Sequence, residues 1–134
     1  MQADDCRSGQ NCNSKSKIDI KRRAFAYALD LIKLVDQLNN RDLSVQVIAR
    51  QLLRSGTSVG ANIIEAQASS SKREFTNFIS YSLKSANESK FWLALLRDSG
   101  KANKGRVDSL LSETKELANI LASSILTLKG KRKP

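Results

Sequence analysis

The 134-residue chain contains no histidine. Triads that use an imidazole base are therefore excluded, and so are His-ligated zinc sites. The Glu-x-x-His pairs of di-iron carboxylate bundles are excluded on the same ground. Cysteine is limited to Cys6 and Cys12. Two thiols cannot by themselves complete a four-ligand structural zinc site, and reduced thiols in a cytoplasmic protein are the expectation. The single proline is Pro134, so proline breaks no helix interior. Glycine is sparse, at 6 residues, and aromatic residues make up only 5%. The scarcity of glycine disfavours a turn-rich β architecture, and the scarcity of aromatics argues against extensive stacking on nucleic-acid single strands. No apolar run approaches the roughly 18 residues that a membrane span needs. Residues 1–17 lack the apolar stretch of a secretory signal and read as a disordered polar leader. The glycine-containing run Gly56-Thr57-Ser58-Val59-Gly60 lacks the lysine of a phosphate-binding loop and does not link a strand to a helix. No cofactor is expected.

What is present is helical periodicity and positive charge. Hydrophobic residues make up 40% of the chain, enough for a bundle in which each helix keeps one polar face. Four amphipathic segments are expected, over residues 18–38, 42–68 (or from 44), 72–99 and 104–128 (or from 106). In the first, Phe25, Ala28, Leu29, Ile32 and Val35 form one apolar row. Tyr27, Leu31, Leu34 and Leu38 form a second row beside it. The combined arc is wider than one core requires and suggests burial against a second subunit. In the second segment, Val45, Ile48, Ala49, Leu52, Val59, Ile63 and Ala66 share a side. Its centre, from Ser55 to Gly60, is a poor helix former taken alone. That run could be a loop, or a helix whose small residues admit a neighbouring backbone. The unbroken phase from Leu52 through Val59 to Ile63 favours one continuous helix.

Ser71 and Glu74 have capping-box spacing ahead of the third segment. Its stripe is Phe75, Phe78, Ile79, Ser82, Leu83, Ala86, Leu93 and Leu96, widened by Phe91, Trp92 and Leu95. Gly100 is the expected stop. The fourth stripe runs Val107, Leu110, Leu111, Thr114, Leu117, Ala118, Leu121, Ile125 and Leu128. Short connections favour antiparallel neighbours. The expected fold is an all-α, up-down-up-down four-helix bundle over residues 18–128, followed by a basic tail at 129–134.

The formal net charge is +10. Lys129, Lys131, Arg132 and Lys133 contribute +4 of it in the last six residues, and residues 18–128 contribute +5. Such a chain attracts polyanions, nucleic acid first, although the charge could equally serve solubility. Lys21, Arg22, Arg23, Arg50, Arg54 and the tail lysines and arginine are the candidate phosphate contacts. Glu65, Glu74 and Glu88 could do acid–base work. Pairing with a cation or capping a helix is the stronger expectation for all three. Ser58, Asn62 and Glu65 form a polar seam on an otherwise apolar helix, with a use in fixing register or subunit pairing. Phe91 and Trp92 could stack on bases. Their spacing beside Leu95 and Leu96 favours core or interface packing, especially for Trp92.

The run from Ser55 to Ala66, SGTSVGANIIEA, resembles the signature of four-helix-bundle proteins encoded in intervening sequences of bacterial 23S ribosomal RNA genes. SKREF at 71–75, SLKSANE at 82–88 and FWLALL at 91–96 continue the match. Gly60 and Gln67 depart from the usual residues. The resemblance implies an antiparallel bundle assembled as a homopentamer. It places Arg54, Ser55, Ser58, Asn62, Glu65, Glu74 and Glu88 in structural or subunit-interface roles. The chain is also similar to the accessory variability determinant proteins of diversity-generating retroelements, which are basic pentamers that bind nucleic acid and a reverse transcriptase. The function this implies is a non-enzymatic, oligomeric, nucleic-acid-binding scaffold, with a reverse transcriptase or ribosomal component as a possible partner. A purely structural or protein-interaction bundle is the alternative.

Overall fold

A computed structural model describes residues 20–130. Among them are four helices and no strand: α1 (Ile20–Asp36), α2 (Leu43–Gln67), α3 (Lys72–Asp98) and α4 (Lys104–Leu128). Each packs against its neighbours in sequence, and α1 closes the bundle against α4. The leader with Cys6 and Cys12, and the tail residues Lys131, Arg132 and Lys133, lie outside the described residues.

The helix ends follow from local chemistry. The backbone N–H of Glu74 donates to Ser71 Oγ (3.0 Å), and the Glu74 carboxylate accepts from the Ser70 N–H (2.8 Å). The start of α3 is thus capped from both directions, one residue away from the strict capping box. At its other end the Lys101 N–H reaches the Leu96 carbonyl (3.0 Å) and the Gly100 N–H reaches that of Arg97 (3.1 Å). These two bonds form a Schellman stop, and Gly100 supplies the left-handed φ of 75° that it needs. Asn103 caps α4 by accepting from the Arg106 N–H (2.9 Å). Asp42 stands at the N-cap of α2 without a side-chain cap bond. Its carboxylate instead accepts from Lys101 Nζ at 3.0 Å, tying the α1–α2 turn to the α3–α4 turn.

One continuous helix spans the glycine-containing run of α2, as its phase indicated. The small residues serve a close approach to α1. A Cβ on Gly56 would stand 2.0 Å from Leu31 Cδ1, and one on Gly60 would stand 3.3 Å from Ala24 Cβ. Opposite this seam, Ser82 of α3 donates to the Val59 carbonyl at 2.7 Å, so α3 also rides close to α2.

The two rows of α1 separate. Ala24, Tyr27, Leu31 and Leu34 are buried, with Leu38 just beyond the helix. Of the row beginning at Phe25, only Val35 packs against the core cluster. Phe25, Leu29 and Ile32 are 42–44% exposed and look away from the bundle, while Ala28 and Val35 are half-buried. Periodicity could not rank two apolar rows, and the side that meets Gly56 and Gly60 became the inner one. The stripes expected on α2, α3 and α4 are buried or half-buried throughout, but the widening of α3 is not uniform. Trp92 is half-buried, whereas Phe91 and Leu95 are exposed.

Candidate functional site

Buried hydroxyls from all four helices meet in the centre of the bundle. Tyr27 Oη of α1 lies 2.7 Å from Thr114 Oγ1 of α4, and Ser55 Oγ of α2 lies 2.8 Å from Ser89 Oγ of α3. Thr114 also donates to the Leu110 carbonyl (2.6 Å) and Ser89 to that of Ser85 (2.9 Å). Burial pushes the Tyr27 phenol above its ordinary value, against the opposing pull of the Thr114 and Ser89 hydroxyls. Among the described residues no buried side-chain polar atom lacks a hydrogen-bond partner. The layer is therefore satisfied within the chain, an arrangement that fixes the register of the four helices. Ser55, to which the resemblance gives a structural or interface role, is buried in this layer. Sequence spacing does not reveal that Tyr27, Ser89 and Thr114 converge, because a lone hydroxyl in an apolar stripe does not show which distant residue it meets.

A second constellation sits on the surface between α2 and α3. Arg54 donates to Gln51 Oε1 from Nε (3.2 Å) and Nη2 (3.0 Å), and its Nη2 also pairs with Glu88. The same Glu88 oxygen accepts the Trp92 indole N–H at 2.9 Å. Trp92 in turn meets Phe91 edge to face, with ring centroids 4.9 Å apart. This chain of contacts holds an exposed arginine and an exposed aromatic in fixed positions. Glu88 is taken up by Arg54 and Trp92, and Glu74 by helix capping. Glu65 is exposed, because its position on the helix falls away from the Ile63–Ala66 side. The seam of Ser58 and Asn62 turns back on its own helix. Ser58 Oγ donates to the Arg54 carbonyl (2.6 Å) and Asn62 Nδ2 to that of Ser58 (2.9 Å).

The cations named from the sequence fall into two groups. Arg23 forms a fork-shaped pair with Glu113 (3.0 and 2.7 Å), with Glu116 at 3.6 Å, and this pairing raises its pKa above the ordinary arginine value. Arg23 and Arg54 are therefore partly neutralised within the chain. Lys21, Arg50 and Lys129 are exposed, and Arg22 is half-buried. The acidic side chains are engaged to a greater extent. Asp42, Glu88, Asp98, Asp108, Glu113 and Glu116 all sit in ion pairs. Among the described residues, exposed Lys33, Lys72, Arg73, Lys84 and Lys115 have no such pair, so the positive surplus is carried by separate surface cations. Among the described residues no group of three or more metal-ligating side chains converges. The clefts of about 330 Å³ are open notches at helix ends, one lined by Ser69, Ser70, Ser71 and Lys72 and another by Asp30, Asn103, Arg106 and Ser109. No described helix is long and apolar enough to cross a membrane.

Comparison with known proteins bears on the resemblance to the intervening-sequence proteins. No protein of curated function matches the chain. A solved structure from Bacteroides thetaiotaomicron, a protein of unknown function from the S23 ribosomal protein family, is 32% identical over 79% of this chain and 97% of its own, with a TM-score of 0.73. The family model described as 23S rRNA-intervening sequence protein matches residues 16–123, the leader's end and nearly all of the bundle, so the chain belongs to the 23S rRNA-intervening sequence protein family.

Proposed function

We propose that the protein is a non-enzymatic, cytoplasmic, homo-oligomeric scaffold whose pooled positive surface binds nucleic acid. The carrying observation is the apolar stripe Phe25, Leu29 and Ile32, which leaves the bundle on the side of α1 away from its core. Water-facing leucine, isoleucine and phenylalanine in one contiguous row mark a surface that a second molecule covers. Leu43 and Val47 on α2 are also exposed, which supplies a different apolar patch. An interface between two unlike patches propagates head to tail and forms a ring where the rotation between copies closes, as in the pentamer that the resemblance implies. Repetition around a ring multiplies weak phosphate contacts by Lys21, Arg22, Arg50, Arg54 and the tail. A reverse transcriptase, as in the retroelement accessory proteins, or a ribosomal component is the protein partner this reading allows.

The test joins mass to binding. Light scattering at micromolar protein should return about 74 kDa, five copies of a 14.8 kDa chain. Filter binding to mixed RNA and DNA should show retention that falls steeply with salt. A 14.8 kDa particle would end the assembly proposal. Salt-insensitive or absent retention by an intact oligomer would leave the alternative, a structural or protein-interaction bundle with no nucleic-acid role.

A further inference from the structure

Tyr81 and Phe91 are the two most exposed aromatic side chains of the described residues, at 50% and 57%. Both stand on α3, ten residues apart, which is about 15 Å along a helix axis. Each is braced edge-on by a half-buried aromatic neighbour: Tyr81 by Phe78 (centroids 5.9 Å apart) and Phe91 by Trp92 (4.9 Å). An edge-on brace fixes a ring while leaving face area open to a flat ligand. Between the two rings come Lys84 and Asn87, both exposed. The residues 81, 84, 87 and 91 share one side of the helix. The nearest carboxylate, Glu88, is already held by Arg54 and the Trp92 N–H, so it offers little repulsion to an anion.

We propose that this side of α3 is a binding track for single-stranded RNA. Bases stack on Tyr81 and Phe91, and Lys84 takes the intervening phosphates. Stacking platforms interleaved with cations are what sequence-tolerant single-strand recognition requires. Asn87 carries both a donor and an acceptor, which suits a ribose 2′-hydroxyl. A duplex cannot use the rings, because its bases are already stacked on one another. The track rests on the nucleic-acid reading above and adds to it the strandedness of the ligand and the residues that sense it.

Trp92 is the only tryptophan in the chain and touches Phe91, so its fluorescence reports on the track. The full-length protein is titrated with oligo(U), oligo(dT), a mixed-sequence RNA duplex and heparin, a polyanion without bases. Oligo(U) is expected to quench Trp92 and to bind more tightly than duplex or heparin, with oligo(dT) weaker than oligo(U). Phe91→Ala should lower oligo(U) affinity tenfold or more and leave heparin binding unchanged, while Phe91→Tyr should retain it. Lys84→Gln should flatten the salt dependence for every polyanion. Unchanged oligo(U) binding by a Phe91→Ala, Tyr81→Ala double variant would overturn the track while leaving general nucleic-acid binding intact. A change in particle mass in Phe91→Ala would overturn it too, by assigning Phe91 to contacts between copies. No binding of any polyanion by the unaltered protein would remove the broader reading as well.

Discussion

Two residues in the core show how single side chains set the bundle's geometry. Tyr27 is almost fully buried, yet its hydroxyl has a partner on another helix, Thr114. Removing that hydroxyl with Tyr27→Phe leaves Thr114 its bond to the Leu110 carbonyl, so the expected loss is about 1 kcal/mol, the net worth of one hydrogen bond. The same change should alter the alkaline limb of stability. The folded phenol titrates above its ordinary value of 10.0, so the unfolded chain gives up that proton first. The contribution is full below pH 10 and declines as pH rises beyond it, a decline that Tyr27→Phe should weaken in urea midpoints measured from neutral to high pH. Gly56 makes the opposite point. Alanine there gains up to about 1 kcal/mol of helix propensity, but its methyl would drive into Leu31, which is wholly buried and has no open space to turn into. Overpacking of that kind costs about 1–3 kcal/mol, so Gly56→Ala should lower the unfolding midpoint. Gly60→Ala, with its contact at 3.3 Å, should be much nearer neutral in the same measurement.

Among the elements, the α3–α4 corner carries the densest charge. Arg97 pairs with Asp98 (2.8 Å) and with Asp108 (2.9 Å), and Lys104 pairs with Asp108 at 2.8 Å. Hydrogen bonds from Lys104 and then Arg97 hold the Asp108 carboxyl below its ordinary value of 3.8, and Arg97 does the same for Asp98. Depressed carboxylates stabilise the folded chain above the unfolded pKa, and the effect fades as pH falls through the folded one. Acid titration below pH 4 should therefore loosen this corner, and Asp108→Asn should reduce that acid-dependent component. Amide hydrogen exchange at Arg106 and Val107 would report it, and added salt should shrink the difference because the pairs are solvent-exposed. The elements themselves were legible in the sequence: a cap at Ser71, a stop at Gly100, and unbroken phase through Gly56 and Gly60. The candidate surfaces were legible only in part. Spacing shows that Phe25 and Tyr27 lie on different rows of α1, but not which row faces inward, since that depends on where α2 can approach. Nor does it show that Arg54, Glu88 and Trp92 converge, because that contact crosses 34 residues of chain. Ser55 and Ser89 are separated in the same way.

For the whole molecule, the decisive question is whether positive charge acts one copy at a time or pooled. A single bundle offers a few scattered cations, among them Lys21, Arg50, Lys72 and Lys84, each worth one weak phosphate contact. The logarithm of affinity falls with the logarithm of salt by about 0.7 to 0.9 per phosphate neutralised, so the slope counts contacts directly. Ile32→Glu places a charge at the C-terminal end of the outward row of α1, where the core does not feel it, because Ile32 makes no contribution to the buried cluster. The variant should stay helical by circular dichroism yet scatter light as a single chain. If the copies act together, its salt slope should collapse along with its affinity, although every cation is still present. Replacing Lys129, Lys131, Arg132 and Lys133 with alanine should instead preserve the particle's mass and lower the slope by a fixed amount on every sequence tested. A monomeric Ile32→Glu protein with an undiminished slope would place all the contacts on one copy and remove the need for a ring in binding.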